Sequence, residues 1–234
     1  MQGEVPLAVV PPDAGMPIRA RGLEFSYPGL RLFHTLDLEL APGEVRALVG
    51  PSGSGKSTLI HLLAGILAPD RGQVFWGETD ITTLGEAELD RLRRGQIALV
   101  FQHHYLLPEL TAMENVLLPG KIAGQEDPDR AADLLARVGL SGRQNLLPAA
   151  LSGGERQRVA VARAVYPAPA VILADEPTGS LDPRHARSVL DLLLSLAAQN
   201  GSAVLLASHD YRLVEDLPHW YIYNGRIWDQ PEEE

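Results

Sequence analysis

Eight consecutive residues, Gly50-Pro51-Ser52-Gly53-Ser54-Gly55-Lys56-Ser57, fit the G-x-x-x-x-G-K-[ST] pattern in full. Glycines let a backbone wrap closely around a ligand, so the N–H groups of such a loop can cradle phosphate oxygens. Lys56 is expected to reach the β- and γ-phosphates of a nucleotide, and the Ser57 hydroxyl to serve a magnesium ion. Thr58 belongs to the same binding stretch. Far downstream, Val171-Ile172-Leu173-Ala174-Asp175-Glu176 reads as an apolar strand that ends in two carboxylates. A strand of this kind is expected beside the loop-bearing strand, with Asp175 near the metal. Glu176, one residue further, is expected on the other side of the pleat end, where it can orient or deprotonate water.

Leu151-Ser152-Gly153-Gly154-Glu155 has the features of a second phosphate-binding device. Gly153 and Gly154 free the backbone, and the helical-looking run Glu155–Val165 presents unpaired N–H groups and a positive dipole end to a ligand. One nucleotide carries one triphosphate tail. Two tail-binding devices in one small domain imply that two copies pair, each completing the other's site.

These residues need a scaffold, and the pattern of the chain supplies one. Leu23–Tyr27 and Leu36–Leu40 alternate as strands around a Pro28-Gly29 turn. Strand Glu44–Val49 runs into the glycine loop, an apolar helix Ser57–Leu67 follows, and another strand and turn occupy Gln73–Gly77. Helices are expected at Glu86–Arg94, Thr111–Leu118, Pro128–Val138 and Glu155–Val165, interrupted by strand Gln96–Phe101. The unbroken apolar run Ala170–Ala174 suits a strand buried on both faces of a parallel sheet. Helix Pro183–Gln199, strand Ala203–Ala207 and a hairpin turning at Asn224-Gly225 complete the chain. The whole reads as an α/β nucleotide-binding core with an antiparallel N-terminal part and a helical insertion at about 86–165. A flexible leader is expected at 1–17, a single domain at 18–229 and an acidic tail at 230–234.

Composition narrows the options. The 234 residues carry a net charge of −10 and no cysteine, which excludes disulfides and thiolate chemistry and argues against nucleic acid as a partner. With no cysteine the cytosol is the simplest compartment, and no apolar run is long enough to span a bilayer. Lysine occurs only at Lys56 and Lys121; its use at Lys56 points to a need for it there. His103 and His104 are read as surface or partner-facing residues. Arg91, Arg93 and Arg94 are read as the solvated face of a helix.

Taken in order, these motifs resemble the nucleotide-binding subunit of ATP-binding-cassette (ABC) transporters over nearly all of residues 18–228. The resemblance implies a P-loop, RecA-like ABC ATPase core and adds roles that the residues alone do not give. Tyr27 matches the aromatic residue that stacks on adenine, and Gln102 the glutamine that touches Mg²⁺ and reports its state to a membrane partner. Leu151–Glu155 matches the family signature, with glutamate at Glu155 where glutamine is commoner. Gly179-Ser180-Leu181-Asp182 resembles the loop that crosses the dimer interface, and His209 matches the switch histidine at the γ-phosphate. ATP and Mg²⁺ are the implied cofactors. A second copy and an integral-membrane permease are the implied partners, with the chain peripheral on the inner face of the membrane. The segment Leu106–Pro119 is similar to the ATPases of lipoprotein-releasing and macrolide-exporting systems. Similar wording occurs in peptide-antibiotic (bacitracin-resistance) exporters and, more loosely, in amino-acid importers, and the cell-division ATPase of the same broad group is a further alternative. A soluble ABC ATPase is disfavoured because coiled-coil insertions, zinc cysteines and tandem cassettes are absent from the sequence.

Overall fold

A computed structural model describes residues 15–179 and 181–229. Strands β1 (Ile18–Tyr27) and β2 (Leu30–Leu40) form an antiparallel hairpin, with Gly29 at φ 79° in the turn. On the other edge of β1 lies β4 (Arg71–Trp76), followed by the two-residue strand β5 (Thr79–Asp80). The leader and tail expected at 1–17 and 230–234 fall mostly outside the described residues. Within the leader's last three, Met16 is buried and the Pro17 carbonyl accepts from the Gly77 N–H.

The second sheet has six strands in the order β10-β9-β3-β8-β7-β6. Its members are β3 (Val45–Val49), β6 (Ile97–Phe101), β7 (Val171–Asp175), β8 (Ala203–Ser208), β9 (His219–Tyr223) and β10 (Arg226–Trp228). All pairings are parallel except that of the terminal β9–β10 hairpin. The pleat sorts its residues between two cores. Leu48, Leu173 and Leu205 face the antiparallel sheet and helix α1 (Lys56–Leu63), whereas Val49, Ile172, Ala174, Val204 and Leu206 face the helical side. Burial on both faces explains the uninterrupted apolar runs. The helical side comprises α3 (Ala112–Ala123), α4 (Pro128–Arg137), α5 (Gly153–Val165) and α6 (Pro183–Asn200). Between the two sides, α2 (Glu86–Gln96) leads directly into β6. A single turn, α7 (Tyr211–Val214), follows β8.

Three expectations change. β7 does not lie beside β3, because β8 pairs with both of them. The α6 crossover returns the chain to the edge of β7 nearest β3, so β8 takes that place. Strand ends stay level nonetheless, since Asp175 is in register with Ala207 and Val49 with Ser208. Helix α1 stops at Leu63 rather than Leu67, turning at Gly65 with φ 65°. Arg93 helps stop it, donating to the Ala64 and Gly65 carbonyls at 3.0 and 2.8 Å, so this arginine is not part of a purely solvated face. Helix α3 continues through Pro119 to Ala123, because its packing on α5 outweighs the one backbone hydrogen bond that proline removes.

Candidate nucleotide site

Two glycines of the phosphate loop are dictated by space. A Cβ on Gly50 would meet the Ile222 carbonyl oxygen at 2.5 Å, and one on Gly55 would meet the Phe33 ring at 2.8 Å. Gly55 also adopts φ 101°, a left-handed conformation open to glycine, as N-cap of α1. The loop thus delivers Lys56 and Ser57 at the first turn of a helix whose N–H groups face the mouth.

Lys56 is buried, with its Nζ donating to the Gly50 and Pro51 carbonyls at 2.9 and 3.1 Å and lying 4.0 Å from Glu176 Oε1. Burial holds this ammonium below the usual lysine range, with Glu176 and Asp175 opposing the shift. Ser57 Oγ donates to Asp175 Oδ1 at 2.9 Å. Burial pushes Asp175 above the ordinary carboxylate range; the Ser57 hydrogen bond, His61 and Lys56 oppose the rise, and Glu176 adds to it. A half-buried carboxylate beside a hydroxyl and a side-chain amide is an all-oxygen donor set. It fits a small hard cation that keeps waters and phosphate oxygens for its other positions. Among the described residues there is no group of three or more His, Asp or Glu side chains able to hold a metal by themselves.

Glu176 follows β7 with φ 50°, an uncommon conformation for a non-glycine residue, and its N–H donates to the Ala207 carbonyl. That kink turns its carboxylate toward Lys56 and into a hydrogen bond with His209 Nδ1. Tyr27, 44% exposed, offers a ring face at the rim, while its hydroxyl meets Thr58 Oγ1 at 3.2 Å and Phe25 holds it edge-on at 5.0 Å. Tyr27, Ser52, Gly53, Gly55, Lys56, Ser57, Thr58, Gln102, Glu176 and His209 all line one cavity of about 530 Å³. Pro51 and Ser54 line an adjoining one under the Asn224-Gly225 turn.

Ser152, Gly153, Gly154 and Asp182 do not line that cavity. Ser152 caps α5 in a reciprocal box: the Glu155 N–H donates to Ser152 Oγ at 3.2 Å and the Ser152 N–H to Glu155 Oε2 at 2.8 Å. These bonds from Ser152 hold the Glu155 carboxyl below its usual range and give the glutamate at this position a role. Asp182 caps α6 without the reciprocal bond, its carboxylate accepting from the His185 N–H and pairing with the His185 ring.

The segment after β6 contains what sequence reasoning missed. His103 is exposed, but His104 is half-buried and hydrogen-bonded to Gln157, so it is not a surface residue. Burial holds its imidazole below the usual histidine range. Asn115 is fully buried and staples the loop that precedes α3, accepting from the Leu107 N–H and donating to the Leu107, Leu110 and Thr111 carbonyls. Such roles leave no spacing signal, because a lone Asn or Gln on a helix reads the same whether buried or exposed.

Residues 33–179 match the family model described as ABC transporter. The chain belongs to that family and is an ATP-binding, ATP-hydrolysing subunit. Among its relatives, the lipoprotein-releasing system ATP-binding protein LolD of Idiomarina loihiensis is 44% identical over 207 residues, covering 86% of this chain and 91% of that protein. The LolD of Nitrobacter hamburgensis is 49% identical over 183 residues, covering 77% and 79%. Of solved structures, the ATP-binding cassette MJ0796, in a dimeric post-hydrolysis state bound to ADP and Pi, superposes with a TM-score of 0.82. That match has 32% identity and covers 90% of this chain and 96% of that one.

Proposed function

We propose that this chain is the ATP-hydrolysing subunit of a transporter of the lipoprotein-releasing type, and that two copies close on two ATP molecules to drive a separate membrane permease. One observation carries the reading: the cavity holds Lys56, Glu176 and His209, while the signature Ser152-Gly153-Gly154 caps a helix outside it. A helix N-terminus with two glycines that lies outside its own chain's phosphate-loop cavity is suited to another copy's nucleotide. The similarity to LolD proteins supports the transporter type, and the dimeric MJ0796 cassette supports the pairing. No helix among the described residues is long and apolar enough to cross a membrane, which suits a subunit held at the inner face through its permease.

In this reading the cassette spans 18–229, with the helical part at about 86–165 carrying the signature. Tyr27 stacks on adenine, and the loop from Gly50 to Thr58 binds the phosphates. Lys56 exchanges its carbonyl partners for phosphate oxygens, so its attraction is spent where charge develops. Ser57, Gln102 and Asp175 hold Mg²⁺, which supplies neutralisation of phosphate charge. Glu176, oriented by His209, accepts the proton of the attacking water. Ser152 and Gly154 of the second copy donate to the γ-phosphate, Asp182 lies at the subunit interface, and closure excludes bulk water. Affinity purification from detergent-solubilised membranes, followed by reconstitution, tests the transporter assignment. A co-purifying membrane protein that raises ATP turnover is expected; a chain that purifies alone and turns over at the same rate with and without membrane extract contradicts it.

A further inference from the structure

Three backbone carbonyls around Gln102 are held by one helix. Gln157, fully buried on α5, donates from Nε2 to the Phe101 carbonyl at 3.3 Å, and its Oε1 pairs with the His104 ring. Six residues on, the Arg163 guanidinium forks onto the His104 carbonyl at 2.8 Å and the Tyr105 carbonyl at 2.7 Å. Among the described residues Arg163 forms no ion pair, and burial lowers its basicity with no carboxylate opposing the shift. A half-buried cation without a counter-charge is costly to keep, and carbonyl dipoles are all that stabilise it. The clamped backbone is itself unusual: Tyr105 sits at φ 45°, with its ring exposed and edge-on to Phe101 at 5.2 Å. α5 is the helix that Ser152 caps.

We propose that Arg163, with Gln157, is a positioning residue that locks the Gln102 loop to the signature helix, so that the two move as one body and Gln102 reaches the metal only when the signature is correctly seated. A planar fork offers each carbonyl its own nitrogen in a fixed geometry, whereas an ammonium would have to place one nitrogen within reach of both. The proposal rests on the ATPase reading through the place of Gln102 at the Mg²⁺ site.

Hydrogen exchange on the full-length, nucleotide-free chain tests the clamp without metal or turnover. In Arg163→Met, amides of residues 102–106 are expected to exchange about 10-fold faster, with α1 and the phosphate loop unchanged. Turnover should fall about 10-fold, as is typical on loss of a group that orients a metal ligand, while ATP binding stays within about 2-fold. Arg163→Lys, the milder change, should give intermediate exchange and turnover; lysine behaving like arginine would remove the need for the fork. The double variant with Gln102→Ala should turn over no more slowly than Gln102→Ala alone. Unchanged exchange in Arg163→Met overturns the clamp, and multiplicative losses in the double variant overturn action through Gln102. If Gln102→Ala itself leaves turnover intact, the metal reading fails, and the exchange result still judges the clamp.

Discussion

Glu176→Gln isolates the proton-accepting step from everything else the site does. The amide keeps the volume of the carboxylate, so the cavity of about 530 Å³ keeps its shape, and its oxygen can still accept from His209. What disappears is a base held 4.0 Å from Lys56 and one negative charge beside an anionic ligand. A positioned general base is worth roughly 10²–10⁴-fold, or about 2.7–5.4 kcal/mol of barrier, so turnover should fall by that factor. ATP affinity should hold or improve, since a repulsive charge has gone. Phosphate release under saturating Mg-ATP measures the first quantity, and equilibrium binding of a fluorescent ATP analogue the second. Turnover within about 3-fold of the unmodified chain, with binding intact, would refute the role of Glu176. A parallel loss of binding and turnover would instead make it a structural residue.

Other changes read different parts of the site. Because burial raises the Asp175 pKa in the fold, the folded chain takes up a proton more readily than the unfolded one, and stability falls as pH rises through the folded value. Asp175→Asn should therefore raise the melting temperature of the nucleotide-free protein at pH 7, and that gain should vanish below about pH 3.8, the ordinary value. The same variant should lose Mg²⁺-dependent turnover; a melting temperature that falls at pH 7 counts against the desolvation argument. Asn115→Ala strips four hydrogen bonds from a fully buried side chain. The Leu107 and Thr111 carbonyls keep backbone donors, but leaving the Leu107 N–H and the Leu110 carbonyl unpaired should cost on the order of 3 kcal/mol in urea denaturation, and a loss under about 1 kcal/mol would show that water replaces the amide.

What the sequence made legible was whatever depends on local spacing. The loop Gly50–Ser57 is contiguous, and each of its glycines has a local cause in φ or in a neighbour closer than 3 Å, as at Gly50 and Gly55. The burial of β7 and β8 on both faces shows as unbroken apolar runs. Strand order was not legible, because the position of β8 between β3 and β7 is fixed by the crossover of α6 rather than by any residue pattern. Neither was the end of α3, where Pro119 signals a stop that packing against α5 overrides. The polar clasp from Gln157 and Arg163 was hidden for another reason: its acceptors are backbone carbonyls some 56–59 residues away, and carbonyls carry no sequence signature.

The claim that each copy completes the other's site is tested most directly by mixing two inactive variants. Lys56→Ala removes the phosphate-loop cation and Ser152→Arg blocks the signature, so neither variant alone should hydrolyse ATP. A mixed pair contains one intact site, built from the loop of the Ser152→Arg chain and the signature of the Lys56→Ala chain. With equal amounts, half the dimers are mixed and one site in two is whole, so about a quarter of the unmodified rate per site should return. A mixture as inactive as its components, under conditions where the unmodified chain turns over, would contradict the account.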